Sequence, residues 1–212
     1  MKRVILYVEG GGNPDADTAL REAFRKFLSE IDDLGQANGY APLGVKLCGP
    51  RQIAYRIFCD AVGRDASGEN FHLLLVDSET PVAEHGACWK HLKNNPEDTW
   101  ERPAGVDDTQ CHLMAQAMEA WFFADPDALA DFYKDNFNKS ALPTTRNVEQ
   151  IAKTRHKSTL EAATKNTTKG RYHKTRHAPR ILEALDPNKV RTRAPHCNRL
   201  FETLRAKITA AS

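Results

Sequence analysis

The sequence predicts an α/β fold, a mainly parallel sheet flanked by helices. Two short apolar runs, residues 4–8 and 73–76, stop abruptly before the acids Glu9 and Asp77. Each run is too short for a buried helix and is rich in aliphatic side chains, as are central strands of parallel sheets. Segments with helical periodicity alternate with these runs, and this alternation is typical of right-handed β-α-β crossovers.

The first half of the chain follows this pattern closely. Three consecutive glycines, residues 10–12, come directly after the first strand and predict a sharp turn. Apolar side chains at helical spacing predict helices over residues 18–31 and 52–62, with a short strand over residues 45–48 between them.

The second half is less regular. Residues 80–109 hold three prolines and two tryptophans without periodicity, which predicts a long inserted loop region. Residues 110–123 are largely apolar and predict a helix. On that helix His112, Gln116 and Glu119 would form one polar stripe, a solvent edge or a polar site beneath it.

Charge divides the chain at about residue 138. Residues 1–138 carry 13 Lys and Arg against 23 Asp and Glu, whereas residues 139–212 carry 17 against 5. We therefore expect a catalytic core over 1–138 and a basic, mostly helical extension over 139–212. A basic region of this kind favours a polyanionic partner. The alternative is a basic face that docks on the acidic half of the same molecule or of a partner.

Carboxylates cluster at the predicted strand ends. Ligands of open α/β sheets bind beyond the carboxyl ends of the strands, where Glu9, Asp77 and Glu79 would stand. Adjacent carboxylates repel one another unless a cation lies between them, and such oxygen ligands suit Mg²⁺ or Mn²⁺. Glu119 is the candidate fourth catalytic carboxylate. Asp125 either joins this group or caps a helix that starts at the next residue, a proline; a merely solvated turn after Glu9 is also open.

The glycine turn also permits a dinucleotide-binding interpretation. Gly10 and Gly12 fit the first two positions of G-x-G-x-x-G, but Asp15 occupies the third. An anionic side chain near a pyrophosphate is unfavourable, so this interpretation is disfavoured.

Cysteine and histidine spacing gives little support to a zinc site. His85, Cys88 and His91 are three residues apart, with Cys111 and His112 further on, but the usual pairs of ligands are absent. The five cysteines are an odd number without a C-x-x-C pair, which predicts reduced thiols and a cytoplasmic protein.

Residues 165–180 form the densest basic stretch, with Tyr172 among the cations. Basic side chains bind phosphate and an aromatic ring can stack on a base, so this stretch predicts a nucleic-acid contact. The alternative is a solvated run of charge between helices. The candidate nucleic-acid-binding residues are Lys169, Arg171, His173, Lys174, Arg176 and Arg180.

Two levels of resemblance sharpen these expectations. A strand that ends in Glu-Gly and a later strand that ends in Asp-x-Glu resemble the TOPRIM domain. The strings VEGGGN, LLLVDSE, HLMAQAMEAWFFAD and KGRYHK resemble a bacterial TOPRIM-like family of unknown function, itself similar to the OLD-type nucleases that partner ABC-type ATPases in phage defence. The resemblance implies a metal held by Glu9, Asp77 and Glu79. Many TOPRIM domains have Asp where this chain has Glu79.

The resulting hypothesis is a magnesium-dependent nuclease that acts on DNA or RNA, with a phage-defence role implied by the resemblance. No P-loop motif occurs, so any ATP dependence would come from the ABC-type ATPase partner that the resemblance implies. We expect no membrane-spanning segment, and a homodimer is left open. The alternatives are a non-catalytic module that binds nucleic acid or the ATPase, and a small-molecule phosphohydrolase.

Overall fold

A computed structural model describes residues 1–12, 14–65 and 68–210, with the backbone alone for residues 14–16. The described strands are β1 (Arg3–Val8), β2 (Gly44–Leu47), β3 (Asn70–Asp77) and β4 (Cys111–Met114). The described α-helices are α1 (Pro14–Phe27), α2 (Ser29–Ala37), α3 (Arg51–Arg64), α4 (Cys88–Asn94), α5 (Glu119–Phe122), α6 (Pro126–Tyr133), α7 (Lys153–Thr164), α8 (Lys174–Ala184), α9 (Pro187–Arg193) and α10 (Pro195–Thr209). None of them combines the length and the apolar character needed to cross a bilayer.

The sheet is parallel throughout and has the strand order β2-β1-β3-β4. Val8 at the end of β1 lies opposite Leu75 of β3 and Leu47 of β2, so the carboxyl ends of neighbouring strands meet at one edge. Helices cover the sheet, and the predicted α/β class with a parallel sheet is confirmed.

Alternate side chains of the central strands enter two separate apolar cores, as the period of two in a strand requires. Leu6 and Leu73 pack into the larger core, whereas Tyr7 and Leu74 pack into the smaller one with α3 and α4. The larger core also contains apolar residues of α7, α8 and α10. Its aromatic centre joins distant parts of the chain, since the ring of Phe27 lies 5.4 Å from Trp121 and 5.6 Å from Phe201. The basic C-terminal region is therefore packed on the sheet.

The predicted helix over residues 110–123 is wrong. Residues 111–114 form the fourth strand, and only 119–122 are helical, in α5. Every residue of β4 is buried, and a segment surrounded by apolar neighbours carries no periodic signal that separates strand from helix. The supposed stripe of His112, Gln116 and Glu119 is consequently not a helix face.

Two other expectations are refined. The predicted helix over residues 18–31 divides at Leu28 into α1 and α2. Residues 80–109, expected as a loop region, contain α4 and the beginning of the 3₁₀ turn Asp108–Gln110. The sharp predicted elements, β1, β3 and α3, lie within two residues or so of their expected positions, apart from extra residues at the start of β3.

Candidate metal centre

Three of the predicted carboxylates come together at the edge of the sheet. Glu9 directly follows β1, Asp77 is the last residue of β3, and Glu79 comes two residues later. One oxygen from each side chain lies within 4.8 Å of the others, the only such group of three or more ligand residues found in the described part of the chain. Asp77 is buried, while Glu9 and Glu79 are partly exposed. Glu119 is not part of this group.

Backbone hydrogen bonds fix the carboxylates in place. The Asp77 N–H donates to Glu9 Oε2 at 3.0 Å, and Asp77 Oδ1 accepts from the Met118 N–H at 3.0 Å. The Glu79 N–H donates to the Gln116 carbonyl at 2.9 Å. The segment between β4 and α5 therefore positions two of the three acids.

The glycine turn brings backbone close to the start of α1. All three of its glycines have positive φ, and a Cβ at Gly11 would lie 2.9 Å from Asp17 Oδ1. The Gly12 N–H donates to the Asp17 carboxylate at 3.0 Å. This N–H serves an internal acid and not a pyrophosphate, which further disfavours the dinucleotide interpretation; the side chain of Asp15 lies outside the described residues.

Arg51, to which the sequence assigned no role, connects the acids. Its guanidinium donates to both oxygens of the buried Asp98, at 2.8 and 2.5 Å. Its Nη1 donates to the Asp77 carbonyl at 2.7 Å and lies 3.3 Å from Glu9 Oε2 and 3.6 Å from Glu79 Oε1. Asp98 belongs to the inserted region, so that region holds Arg51 against the site. Arg51 starts α3 just after β2, and a cation at the end of the strand beside β1 is the signal that could have identified it.

The C-terminal region supplies two lysines. Lys153, the first residue of α7, contacts Glu79 Oε1 and lies 3.5 Å from Asp77 Oδ2. Lys174, the first residue of α8, lies 3.2 Å from Glu119 Oε1, which also accepts from the Tyr172 hydroxyl at 3.2 Å. Lys174 was predicted to bind nucleic acid, whereas Lys153 was missed because its short helix carries no distinctive sequence pattern.

Negative charge exceeds positive charge among these groups. If all are ionised, five carboxylates face three cations: Glu9, Asp77, Glu79, Asp98 and Glu119 against Arg51, Lys153 and Lys174. This surplus favours the binding of a further cation.

The pKa values show the same imbalance. Burial, reinforced by the nearby Asp77 carboxylate, raises the pKa of Glu9 to about 7. Burial also raises the pKa of Asp77 to about 6, although Lys174 and Lys153 act in the opposite direction. Burial alone would lower the pKa of Lys174, but the carboxylates of Glu119 and Asp77 outweigh it and raise that pKa. Two of the acids are thus poised near neutral pH.

The donor set fits a small divalent cation. Carboxylate oxygens are the preferred ligands of Mg²⁺ and Mn²⁺. Two oxygens on opposite sides of one Mg²⁺ are about 4.2 Å apart, close to the 4.8 Å limit that contains the three oxygens here. Small side-chain rotations would therefore bring Glu9, Asp77 and Glu79 into contact with one ion.

We expect the metal-free protein to lose stability as pH rises. Because the folded-state pKa of Glu9 is about 7 against an ordinary 4.5, the folded protein keeps a proton that the unfolded chain releases between these values. The stabilisation present below pH 4.5 is therefore lost as pH rises through 7, by up to ~3 kcal/mol.

Urea unfolding in EDTA from pH 5 to 8, on the wild type and on Glu9→Gln, measures this effect. The difference between the two proteins isolates Glu9, because buried His112, whose pKa is lowered to about 3 chiefly by burial, acts in the opposite direction in both. Glu9→Gln should gain stability relative to the wild type as pH rises. A difference that stays constant across this range would contradict the expectation.

Two cavities flank the carboxylates. The glycine-loop cavity, about 350 Å³, is lined by the three glycines, Glu9, Asp77, Met114 and Met118, among others. The lysine cavity, about 460 Å³, is lined by Glu119, Lys153, Lys157, His156 and His173, among others. Lys174 lines both.

The remaining predicted nucleic-acid contacts lie on the surface beside these cavities. Lys169, Arg176 and Arg180 line one shallow depression with Phe132, over whose ring Lys169 Nζ lies at 5.0 Å. His173 lines the lysine cavity, and Arg171 is exposed. Within the described structure, Lys169, Arg171 and Arg176 have no acidic partner, whereas Arg180 is 3.9 Å from Glu183. These cations are available to a ligand.

Other basic residues of the C-terminal region make internal contacts. Arg191 and Arg205 lie 3.2 and 3.0 Å from Glu30 of α2. Arg193 donates to the carbonyls of Phe123, Ala124 and Thr145. The expected polyanion surface and the alternative of internal docking therefore each account for part of the charge.

Asp125 does not join the carboxylate group. Its Oδ1 accepts from the Ala128 N–H at 3.3 Å and caps α6, and Lys189 Nζ lies 2.8 Å from the same oxygen. The second of the two interpretations given to this residue, the helix cap, is the one that the structure shows.

The residues considered for zinc serve other contacts. His91 Nε2 lies 2.9 Å from the Ser78 carbonyl oxygen, and His112 and Cys88 contact the Arg199 guanidinium. No group of zinc ligands is found among the described residues. All five cysteines are free thiols.

Comparison with known proteins places this arrangement in a family. A family model described as a domain of unknown function, DUF4276, matches residues 8–205, and so includes Glu9, Asp77, Glu79 and both lysines of the site. The search of curated proteins and the search of solved structures find no match. The match confirms the coarser expectation from the sequence, a family of unknown function that covers most of the chain. The chain therefore belongs to the DUF4276 family.

Proposed function

We propose that this protein is a metal-dependent phosphodiesterase, a nuclease with a TOPRIM-like sheet. The observation that carries the proposal is the meeting of Glu9, Asp77 and Glu79 within 4.8 Å at the ends of two adjacent parallel strands. Their surplus negative charge favours a cation, and the neighbouring lysines favour an anionic substrate.

Glu9, Asp77 and Glu79 would hold Mg²⁺ or Mn²⁺. A divalent cation bound there would lower the pKa of a bound water and offset negative charge on a phosphoryl group. Arg51 keeps these acids apart from bulk water on the opposite side and orients Glu9 through its 3.3 Å contact. Gln116 orients Glu79 through its carbonyl.

Proton transfer falls to Glu9 in this proposal. Its pKa of about 7 is near the value at which a carboxylate accepts a proton efficiently at neutral pH, and it lines the glycine-loop cavity. The Lys174 ammonium, shared by the two cavities, would hold a phosphate oxygen and stabilise charge that develops there. Glu119 and the Tyr172 hydroxyl position Lys174.

The substrate class follows from the unpaired surface cations. Lys169, Arg171 and Arg176 are suited to a phosphate backbone, and Phe132 gives their depression an aromatic wall. We infer a DNA or RNA strand that enters the site across α8.

Lys169→Ala with Arg176→Ala should weaken binding to a single-stranded oligonucleotide and lower the slope of log K against log salt by about two. Fluorescence anisotropy in EDTA measures this without cleavage. Lys90→Ala with Lys93→Ala is the matched control, since it removes the same charge from the exposed face of α4. Equal slopes in the two double variants would rule out the depression as the binding surface.

The function itself is tested by a cleavage assay on plasmid, single-stranded DNA and total tRNA, with Mg²⁺, Mn²⁺ or EDTA. We expect cleavage that EDTA abolishes. The resemblance to nucleases that partner ABC-type ATPases motivates a second arm, in which the protein is co-expressed with an ATPase encoded beside it. Absence of metal-dependent cleavage in both arms would overturn the proposal.

One observation favours a non-catalytic binding module instead. Arg51 and Lys153 already contact the acids, so the carboxylates are not unpaired, as the sequence had led us to expect. A stable metal-free network of this kind can also serve a purely structural role. Oligonucleotide binding without cleavage in either arm of the assay would establish this alternative.

A further inference from the structure

Cations occupy two sides of the triangle formed by the three carboxylates. Arg51 Nη1 bridges Glu9 and Glu79, at 3.3 and 3.6 Å. Lys153 Nζ bridges Asp77 and Glu79, lying 3.5 Å from Asp77 Oδ2 and in contact with Glu79 Oε1. On the third side, between the carboxylates of Glu9 and Asp77, the described residues place no bridging cation, since Arg51 contacts only the carbonyl of Asp77.

The cavities divide in the same way. Glu9 and Asp77 line the glycine-loop cavity, which Lys153 does not line. Lys153 lines the lysine cavity, which Glu9 and Asp77 do not line. The side of the triangle without a cation therefore faces one cavity, and the ammonium of Lys153 faces the other.

Lys153 is also held firmly at its backbone. Its N–H donates to Gln116 Oε1 at 3.1 Å, and the Gln116 carbonyl accepts from the Glu79 N–H at 2.9 Å. One buried residue thus fixes both the lysine and one of the acids that it bridges. The contact between them is built into the fold.

Phosphodiesterases with two metal ions place them about 3.5–4 Å apart around shared carboxylates. Asp77 is here shared between the open side of the triangle and Lys153. Resting on the proposed function, we propose that the Lys153 ammonium takes the place of a second divalent cation, so that the centre binds a single ion between Glu9 and Asp77. Lys153 then supplies the second positive charge next to the substrate phosphate.

Counting the bound ions tests this directly. The purified protein is titrated with Mn²⁺ at pH 8, and bound ions per chain are measured by equilibrium dialysis with elemental analysis and by electron paramagnetic resonance. The wild type should bind one ion. Lys153→Met removes the charge but keeps an unbranched side chain of similar length, and it should bind two, with the spectrum of a coupled pair.

Lys157→Met is the matched control, because Lys157 lines the same cavity without contacting the three acids, and it should bind one ion. Lys153→Arg keeps the charge and should also bind one. Circular dichroism confirms that the variants are folded, and Lys153→Gln replaces Lys153→Met if the latter is not.

The outcomes separate the two levels of the argument. Two ions in the wild type, or one in both the wild type and Lys153→Met, would overturn the role given to Lys153 and leave the proposed function standing. No bound ion in the wild type would overturn the metal centre itself, and with it the proposed function.

Discussion

Asp77→Asn should lower metal-dependent cleavage by at least ~10²-fold. Asparagine has the shape of aspartate and can still accept the hydrogen bond from the Met118 N–H, so the loop before α5 keeps its position. What is lost is one negative charge at the centre of the carboxylate group, on the residue that lies nearest to both the open side and Lys153. Binding of an oligonucleotide in EDTA should be almost unchanged, because it depends on cations elsewhere.

Initial cleavage rates at saturating Mg²⁺, compared with anisotropy titrations in EDTA, separate these two effects. Asp60→Asn is the matched control, because it makes the same chemical change on the exposed face of α3. Asp77→Asn should also be at least as stable as the wild type above pH 7, since it relieves surplus buried charge. Cleavage at the wild-type rate would show that Asp77 has no catalytic part.

Arg51→Met should destabilise the protein by ~3–5 kcal/mol. The substitution leaves Asp98 buried without its bidentate partner and removes the cation that lies between Glu9 and Glu79. It also removes the contact with the ring of Trp100, whose centroid is 5.1 Å from the guanidinium carbon. A loss of this size is a large part of the stability of an ordinary domain.

Urea unfolding at pH 8 in EDTA measures the loss, with Arg56→Met, on the exposed face of the same helix, as the control. The double variant Arg51→Met with Asp98→Asn should recover much of the stability, since the charge that had lost its partner is then absent. If Arg51→Met costs no more than Arg56→Met, the guanidinium does not hold this network together.

The parts of the site that the sequence predicted are those governed by a general rule of parallel sheets. The runs before Glu9 and Asp77 are short, apolar and bounded by turns, so their assignment as strands needed no tertiary information. Once the strands are parallel, their acids must meet at one edge. The meeting of Glu9, Asp77 and Glu79 is a direct consequence.

The parts that were missed depend on packing between distant segments. The four residues of β4 include no β-branched side chain, and its burial on both faces comes from α10 and α4, which no local pattern reveals. Lys153 reaches Asp77 across 76 positions of sequence, and Arg51 reaches Asp98 across 47. Such contacts follow from the way the helices pack on the sheet, and a single sequence contains no periodic signal for them.

The sharing of the larger core between the two ends of the chain has a consequence for the order of synthesis. The three acids are all translated before residue 80, but Lys153, Lys174 and the α10 residues that pack on Phe27 come much later. An emerging chain therefore carries the acids without the cations that compensate and orient them. Because the core closes only when α10 is available, the centre is assembled after release from the ribosome, and a nascent chain cannot cleave the RNA from which it is being made.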